Sequence, residues 1–228
     1  MKRRRNRLRS SGNLIAVVGG DGAGKSTSID GLYRWLSGMA ETRKIHIGNP
    51  PYTLTSLAVA ALLKLTRLLA PPSDNNGSSA KRPGTLEMVQ WVCNARDRYK
   101  LYLKARRLAN KGELVLCDRY PLPEIKLMDG PRISQSLASN RGPLARLFYK
   151  AERQFYKKIL PPDLLIVLRV NPDIAVQRKT GEDPSHVRTR SQEMWDLSWE
   201  GDKALVVDAN RPKDVVLAEL KSIVSSRL

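Results

Sequence analysis

The feature that most constrains the fold of this chain is a glycine-rich turn between a strand pattern and a helix pattern. Residues 14–18 form a short apolar run rich in β-branched side chains, which predicts a buried parallel strand. The turn that follows, Gly19-Gly-Asp-Gly-Ala-Gly-Lys-Ser26, fits the spacing G-x-x-x-x-G-K-[ST]. Apolar residues then recur at helical spacing from Lys25 to about residue 40. Strand, turn and helix in this order predict the opening of an α/β domain.

The chemistry of this turn points to nucleoside triphosphate binding. Glycines let the backbone wrap so that successive N–H groups face a phosphate, and the helix N-terminus adds positive potential. Lys25 is expected to reach the β and γ phosphates, and the Ser26 hydroxyl is expected to hold Mg²⁺. The sequence therefore predicts ATP and Mg²⁺ as cofactors. The predicted binding residues within the turn are Gly19, Gly22, Gly24, Lys25, Ser26 and Thr27.

The rest of the chain alternates strand and helix patterns. Four further strands are predicted near residues 44–47, 114–117, 164–168 and 204–207. Helices are predicted over 54–69, 85–110, 143–160, 172–179 and 212–224, whereas 181–190 is polar and predicted to be irregular. This alternation predicts an α/β three-layer fold, with a five-stranded parallel sheet covered by helices on both faces.

Composition removes several classes of protein. Two cysteines make no disulfide scaffold and two histidines make no histidine-rich metal site, so we expect a reduced, cytoplasmic protein. The net charge is +18, and the first twelve residues hold six of the 40 lysines and arginines. The remainder is therefore also basic, which indicates an anionic partner: a phosphorylated small molecule, nucleic acid or an acidic membrane surface. No stretch is long and apolar enough to predict a membrane span.

A second motif narrows the fold further. Asp118-Arg119-Tyr120 follows the predicted strand 114–117. Together with residues 19–27 it resembles the thymidylate kinases and their relatives among P-loop nucleoside-monophosphate kinases. Three further segments resemble the same family in the same order: Asp97-Arg98, residues 162–178 and residues 206–212. The resemblance runs from about residue 13 to the C-terminus.

The resemblance implies a P-loop kinase domain over 13–228, with a short lid at about 179–191, preceded by a basic arm over 1–12 that we expect to be disordered. It implies Mg²⁺-dependent phosphoryl transfer from ATP to a nucleoside monophosphate, with thymidylate first. It also implies a homodimer. No specific nucleic-acid site is predicted. The helix 54–69 is expected to pack within the substrate side, with binding to a membrane surface or to a partner as the less favoured alternative.

Site roles follow from the resemblance residue by residue. Asp118 would hold Mg²⁺ through water together with Ser26, and Arg119 would bind the phosphate of the acceptor. Because the turn has no arginine, the transition-state cation is expected to come from the lid, where Arg178, Arg188 and Arg190 are the candidates and Lys179 is a weaker one. The predicted catalytic residues are Lys25, Asp118, Arg119, Arg188 and Arg190. Arg178 and Arg211 join the predicted cofactor-binding residues, and Asp21, Arg98, Arg119 and Tyr120 are predicted to bind the substrate.

The sequence departs from the family on the acceptor side. The Arg-Glu-Pro-Gly-Gly-type segment after the second strand is replaced by Ile47-Gly-Asn-Pro-Pro-Tyr52, which has no arginine. Asn94 stands where the family has an aromatic side chain, and Arg169 where the relatives often have aspartate. Two alternatives therefore stay open. One is a kinase of another small acceptor, such as a nucleoside or a phosphorylated sugar. The other is a non-catalytic nucleotide-binding regulator with a basic, polyanion-binding surface.

Overall fold

A computed structural model describes residues 13–51, 53–69, 84–134, 142–199 and 204–228. Within them, all strands belong to one parallel sheet of order β2-β3-β1-β4-β5. The strands are β1 (Leu14–Gly19), β2 (Thr42–His46), β3 (Leu114–Asp118), β4 (Leu164–Arg169) and β5 (Ala204–Asp208). The predicted α/β fold with a five-stranded parallel sheet is therefore confirmed. The basic arm and Tyr52 lie outside the described residues.

The central strands are buried along their whole length. Every residue of β1 and of β3 is buried. Since successive side chains of a strand point to opposite faces, burial of both sets requires cover on both faces. The core beside them is a cluster of aliphatic side chains that includes Ile29, Leu116 and Ile166.

The chain divides into two compact units. The described part of the first comprises residues up to Asn49, Leu101–Gly130 and residues from Leu160 onward. With the helices numbered along the whole chain, it holds the sheet and the helices α1 (Lys25–Ser37), α5 (Pro172–Arg178), α6 (Pro184–Asp196) and α7 (Lys213–Ser225).

The polar segment 181–190 was predicted to be irregular, and this prediction is wrong from Pro184 onward. Helix α6 begins there because the Asp183 side chain accepts a hydrogen bond from the Ser185 backbone N–H at 2.7 Å, and Pro184 occupies the first helical turn. Val187 and Met194 bury the apolar side of this helix. The capping aspartate and the proline are helix-start signals in the sequence, but the polar composition of the segment lacks the apolar periodicity that predicts a helix.

The second unit comprises the described residues of Pro50–Lys100 and Pro131–Ile159. It holds α2 (Leu54–Leu69), α4 (Pro143–Lys157) and the first sixteen residues of α3 (Thr85–Asn110), whose last turns belong to the first unit. Helix α2 turns its buried Ser56 toward Asp97, whereas its leucines 54, 57, 62, 65 and 68 are each at least 49% exposed. Within the described part of the chain, no helix has the length and apolarity needed to cross a membrane.

Candidate active site

The glycine-rich turn connects β1 to α1 at the carboxyl edge of the sheet. Gly22 and Gly24 have φ of 75° and 77°, the left-handed region that glycine adopts without steric cost. The turn is also crowded by neighbouring helices, since a Cβ on Gly20 would lie 2.9 Å from the Ser191 Cα and one on Gly22 would lie 2.8 Å from the Ala175 Cα. These glycines therefore serve both the backbone shape and the packing of α5 and α6.

Lys25 lies within this turn as a buried cation. Its ammonium donates a hydrogen bond of 2.6 Å to the Gly20 carbonyl, and the residue is 9% exposed. Burial and the nearby charge of Arg119 lower the pKa of Lys25 to about 8, against the opposing charges of Asp21, Asp118 and Asp129. A buried cation of this kind is stabilised by an anion, which fits the predicted contact with phosphate.

Asp118, the last residue of β3, lies beside His46, the last residue of β2. The register of the two strands pairs these residues directly, and the His46 Nδ1 lies 2.9 Å from the Asp118 Oδ2. Burial alone would raise the pKa of Asp118, but the hydrogen bond from His46 and the charges of His46, Lys25 and Arg119 bring it below its ordinary value. Among the described residues, the buried Oδ1 of Asp118 has no hydrogen-bond partner.

This arrangement fits Mg²⁺ held together with phosphates. Oxygen atoms are the ligands that Mg²⁺ prefers, and in nucleotide sites it commonly takes only one or two from the protein. The orphaned Oδ1 of Asp118 and the hydroxyl of Ser26, an exposed residue in the first turn of α1, supply such oxygens. Among the described residues, no group of three or more histidine, cysteine, aspartate or glutamate side chains is placed to hold a metal ion.

The predicted lid arginines have different partners. The Arg190 guanidinium donates to the Asp21 carboxylate at 3.0 Å, and the Ser191 hydroxyl donates to the Asp21 carbonyl at 3.0 Å. Burial alone would raise the pKa of Asp21, but the hydrogen bond from Arg190 and the charges of Lys25, Arg190 and Arg119 lower it. Arg188 instead forms an exposed ion pair of 2.6 Å with Asp173 on α5. The structure therefore brings Arg190, and not Arg188, to the glycine-rich turn.

Arg119 directly follows Asp118 and has an unusual backbone. Its φ of 56° is the only positive value of a non-glycine residue within the described ranges. A small cavity at this point is lined by Arg119, Lys25, Tyr120 and Asp129, among others. The Tyr120 hydroxyl donates a hydrogen bond to the Leu160 carbonyl, and the residue is 1% exposed. This side chain, which was predicted to bind the substrate, is therefore packed almost entirely in the core.

A larger cavity of about 560 Å³ opens beside the glycine-rich turn. Its lining includes Gly22, Thr27, Arg178, Pro212 and Leu217, together with the predicted Arg211. The Arg178 guanidinium donates to the carbonyls of Ala209 and Asn210, at 2.8 and 3.1 Å, which fixes it along the cavity wall. The volume lies in the range of small-molecule sites. The cavity therefore offers a place for the nucleoside part of a ligand whose phosphates bind the turn.

Known proteins of similar sequence match this chain over most of its length. It is 30% identical over 220 residues to the uncharacterized ATP-binding protein YghR of Escherichia coli K12, a match that covers 93% of this chain and 86% of the relative. It is 26% identical over 227 residues to the thymidylate kinase of Symbiobacterium thermophilum, with 94% of each chain covered. It is 27% identical over 230 residues to that of Acaryochloris marina, with 95% and 97% covered. No family model matches the chain.

The chain belongs to the thymidylate kinase-like P-loop family. Its glycine-rich turn, Asp118 and Arg119 are the segments by which the sequence resembles this family, and the structure brings them to one edge of the sheet. In the second unit, the predicted Arg98 donates a hydrogen bond of 2.8 Å to the Tyr156 hydroxyl and is 8% exposed.

Three residues of this family member escaped the sequence analysis or were left unexplained there. His46 ends β2, and adjacent parallel strands bring their carboxyl ends together, so its position next to Asp118 was a usable signal. Asp129 gave no signal, because it follows a loop of irregular sequence. Arg169, which had no explanation, lies 4.5 Å over the Trp195 ring and donates to the Trp195 carbonyl, so it fastens the end of α6 to β4.

Proposed function

We propose that this protein transfers the γ-phosphoryl group of ATP to a small acceptor in the presence of Mg²⁺. The observation that carries the proposal is the gathering of Lys25, Asp118, Arg119 and Arg190 at the glycine-rich turn, beside a cavity large enough for a nucleoside. Similarity to a protein named for ATP binding and to two named thymidylate kinases supports it.

Each residue has a role that follows from its position. Backbone N–H groups of the turn and the Lys25 ammonium neutralise the donor phosphates, and Arg178 lines the nucleoside cavity. Ser26 and Asp118 would hold Mg²⁺, which would offset negative charge on the transferred group. Arg119 orients the acceptor. In the transition state, the Arg190 guanidinium leaves the Asp21 carboxylate and contacts the transferred phosphoryl group instead. Phosphoryl transfer needs such charge neutralisation and alignment more than covalent catalysis.

The acceptor is the finer part of the proposal. The names of the two kinase relatives make thymidylate the first compound to test, followed by the other nucleoside monophosphates, nucleosides and phosphorylated sugars.

The test is ADP release from Mg²⁺-ATP over this acceptor panel, with Lys25→Ala as the decisive variant. We expect stimulation by an acceptor and a loss of at least about 100-fold in Lys25→Ala, because a preorganised cation at developing charge is removed. Lys44→Ala, which removes an exposed lysine paired with Asp30, is the matched control and should retain activity. Equal ADP release from Lys25→Ala and the unaltered protein would reject the proposal.

A further inference from the structure

Helix α6 is docked on the glycine-rich turn. Ser191 is fully buried, and its hydroxyl donates a hydrogen bond of 3.0 Å to the Asp21 carbonyl. The helix backbone comes so close that a Cβ on Gly20 would lie 2.9 Å from the Ser191 Cα. A phosphate bound in the turn would attract the neighbouring Arg190 guanidinium while Ser191 keeps its contact. Donor binding is therefore expected to stabilise the docked position of α6.

Glu193 lies one helical turn after Arg190 on α6 and contacts a different loop. Its carboxylate accepts a hydrogen bond of 2.8 Å from the backbone N–H of Lys126. The backbone N–H of Leu127 donates to both of its oxygens at 3.1 Å. Hydrogen bonds to an ionised acceptor are stronger than those between neutral groups. The same helix thus holds the glycine-rich turn and the backbone of this second loop.

The second loop, residues 121–130, begins two residues after Arg119. Its buried side chains include Ile125 and Met128, and the Gly130 N–H closes a turn on the Ile125 carbonyl at 2.8 Å. The side chains at 126 and 127, within this turn, are exposed. Helix α6 therefore holds this part of the loop through backbone N–H groups, and Glu193 supplies the oxygens that they bind.

Near its end, the loop carries Asp129 to a position beside Arg119. A Cβ on Gly48 would lie 2.5 Å from the Arg119 Cβ and 2.7 Å from the Asp129 Oδ1, so both side chains pack against the same glycine. The charge of Asp129 also acts on Lys25, whose pKa it raises against the effect of burial. A displacement of the loop therefore changes the surroundings of the arginine that is proposed to orient the acceptor.

We propose that Glu193 is a positioning residue, through which α6 holds loop 121–130 and with it Arg119 in the arrangement that orients the acceptor. The inference rests on the proposed phosphoryl transfer. Glu193 acts through the backbone of the loop and makes no contact with the substrate in this role. Because α6 also carries Arg190, donor binding at the glycine-rich turn stabilises the acceptor side of the site before the acceptor binds.

The kinetic test compares Glu193→Ala with Glu193→Gln at saturating Mg²⁺-ATP, using the acceptor that most stimulates ADP release. Glutamine keeps an oxygen that accepts both N–H groups, whereas alanine keeps none. We expect Glu193→Ala to raise the KM of the acceptor at least about tenfold with kcat within about threefold, the pattern for lost binding common to ground and transition states. Glu193→Gln should stay within about threefold in both constants.

Gln192→Ala is the matched control, because it removes an exposed side chain from the same helix and should change neither constant. Two results would overturn the proposal. One is an unchanged acceptor KM in Glu193→Ala. The other is an equal loss in Glu193→Gln, which would assign the effect to the charge of Glu193 and not to its hydrogen bonds with the loop.

Hydrogen–deuterium exchange at the backbone N–H groups of residues 126 and 127 tests the link to the donor without any acceptor. The saturating Mg²⁺ complex of a non-hydrolysable ATP analogue should slow this exchange at least about tenfold in the unaltered protein and in Gln192→Ala. In Glu193→Ala the exchange should be fast with and without the analogue, while calorimetry gives an unchanged Kd for the analogue.

The unaltered protein alone decides this second test, so it does not depend on the folding of a variant. If the analogue binds and exchange at these two groups does not change, Glu193 is a structural contact only and the proposal is overturned. Failure of the analogue to bind would instead reject the proposed function.

Discussion

Both compact units bury carboxylates, but the hydrogen-bond partners of these carboxylates differ. In the second unit, Asp97 is 3% exposed, and its carboxylate accepts hydrogen bonds from Thr53, Ser56 and Arg96. Glu152 is 1% exposed and accepts from the backbone N–H groups of residues 132 and 133. The hydrogen-bonding capacity of these carboxylates is taken up by the unit itself.

The first unit leaves hydrogen-bonding capacity unused. The Oδ1 of Asp118 is buried without a partner among the described residues, and the ammonium of Lys25 donates a hydrogen bond to the carbonyl of Gly20 in the turn that surrounds it. A buried polar atom without a partner costs about 1–3 kcal/mol, and a ligand at the glycine-rich turn that supplies a partner to the Asp118 Oδ1 would remove this cost. For these carboxylates, burial alone therefore does not identify a functional residue, and their hydrogen-bond partners have to be compared as well.

The largest loss of activity that we predict distinguishes the two arginines of the predicted lid, Arg190 and Arg188. Arg190→Ala should lower turnover about 100- to 1,000-fold, because it removes a cation held beside the transferred group. Arg188→Ala should stay within about threefold of the unaltered protein, since its exposed ion pair with Asp173 contributes less than about 1 kcal/mol. Steady-state kinetics with a saturating acceptor measures both variants. Equal losses would show that the partner of each arginine in this structure does not indicate its role.

A smaller effect separates backbone shape from packing within the glycine-rich turn. Gly24→Ala should cost about 1–2 kcal/mol of unfolding free energy, because its φ of 77° is unfavourable for alanine but no atom lies within 4 Å of the new Cβ. Gly22→Ala has the same conformational cost and in addition a contact of 2.8 Å with the Ala175 backbone, so it should cost about 1–3 kcal/mol more.

Urea unfolding without nucleotide measures both variants and excludes any effect on phosphate binding. If both variants lose the same stability, α5 must shift readily away from Gly22, and the turn would owe its glycines to backbone shape alone.

The first unit could be predicted well from the sequence because its signals are local. The spacing from Gly19 to Ser26, the apolar runs and the Asp118-Arg119 pair each lie within a few neighbouring residues. The sheet then follows from the rule that alternating strands and helices form parallel sheets. The exception is α6, where a helix with a polar surface lacks the apolar periodicity on which such predictions depend.

The residues that escaped prediction make their contacts across long separations. His46 lies 72 positions from Asp118, and Asp129 approaches Gly48 from another segment. The glycine at 48 and the aspartate at 129 are ordinary residues of a loop until the structure shows that one occupies the space left by the other. The residues that recognise the acceptor are therefore harder to predict from one sequence than those that bind the donor, because donor binding depends largely on backbone N–H groups of one local motif.

The smallest effect tests the second unit through pH. Burial raises the pKa of Glu152, although the backbone N–H groups of residues 132 and 133 and the charges of Arg153 and Arg98 oppose it. The folded state then binds a proton more readily than the unfolded state, so the contribution of Glu152 to stability grows as the pH falls through this raised pKa and is lost as the pH rises through it. Glu152→Gln cannot take up this proton. The unfolding free energy of the unaltered protein minus that of the variant should therefore increase as the pH falls from neutral toward the ordinary pKa of a glutamate. Urea unfolding at each pH measures this difference, with Glu124→Gln at an exposed position as the control for the substitution.

ATP binding should be the same in Glu152→Gln as in the unaltered protein. A loss of binding would mean that this buried charge serves more than its own unit, and the distinction between the two sets of buried charges would fail.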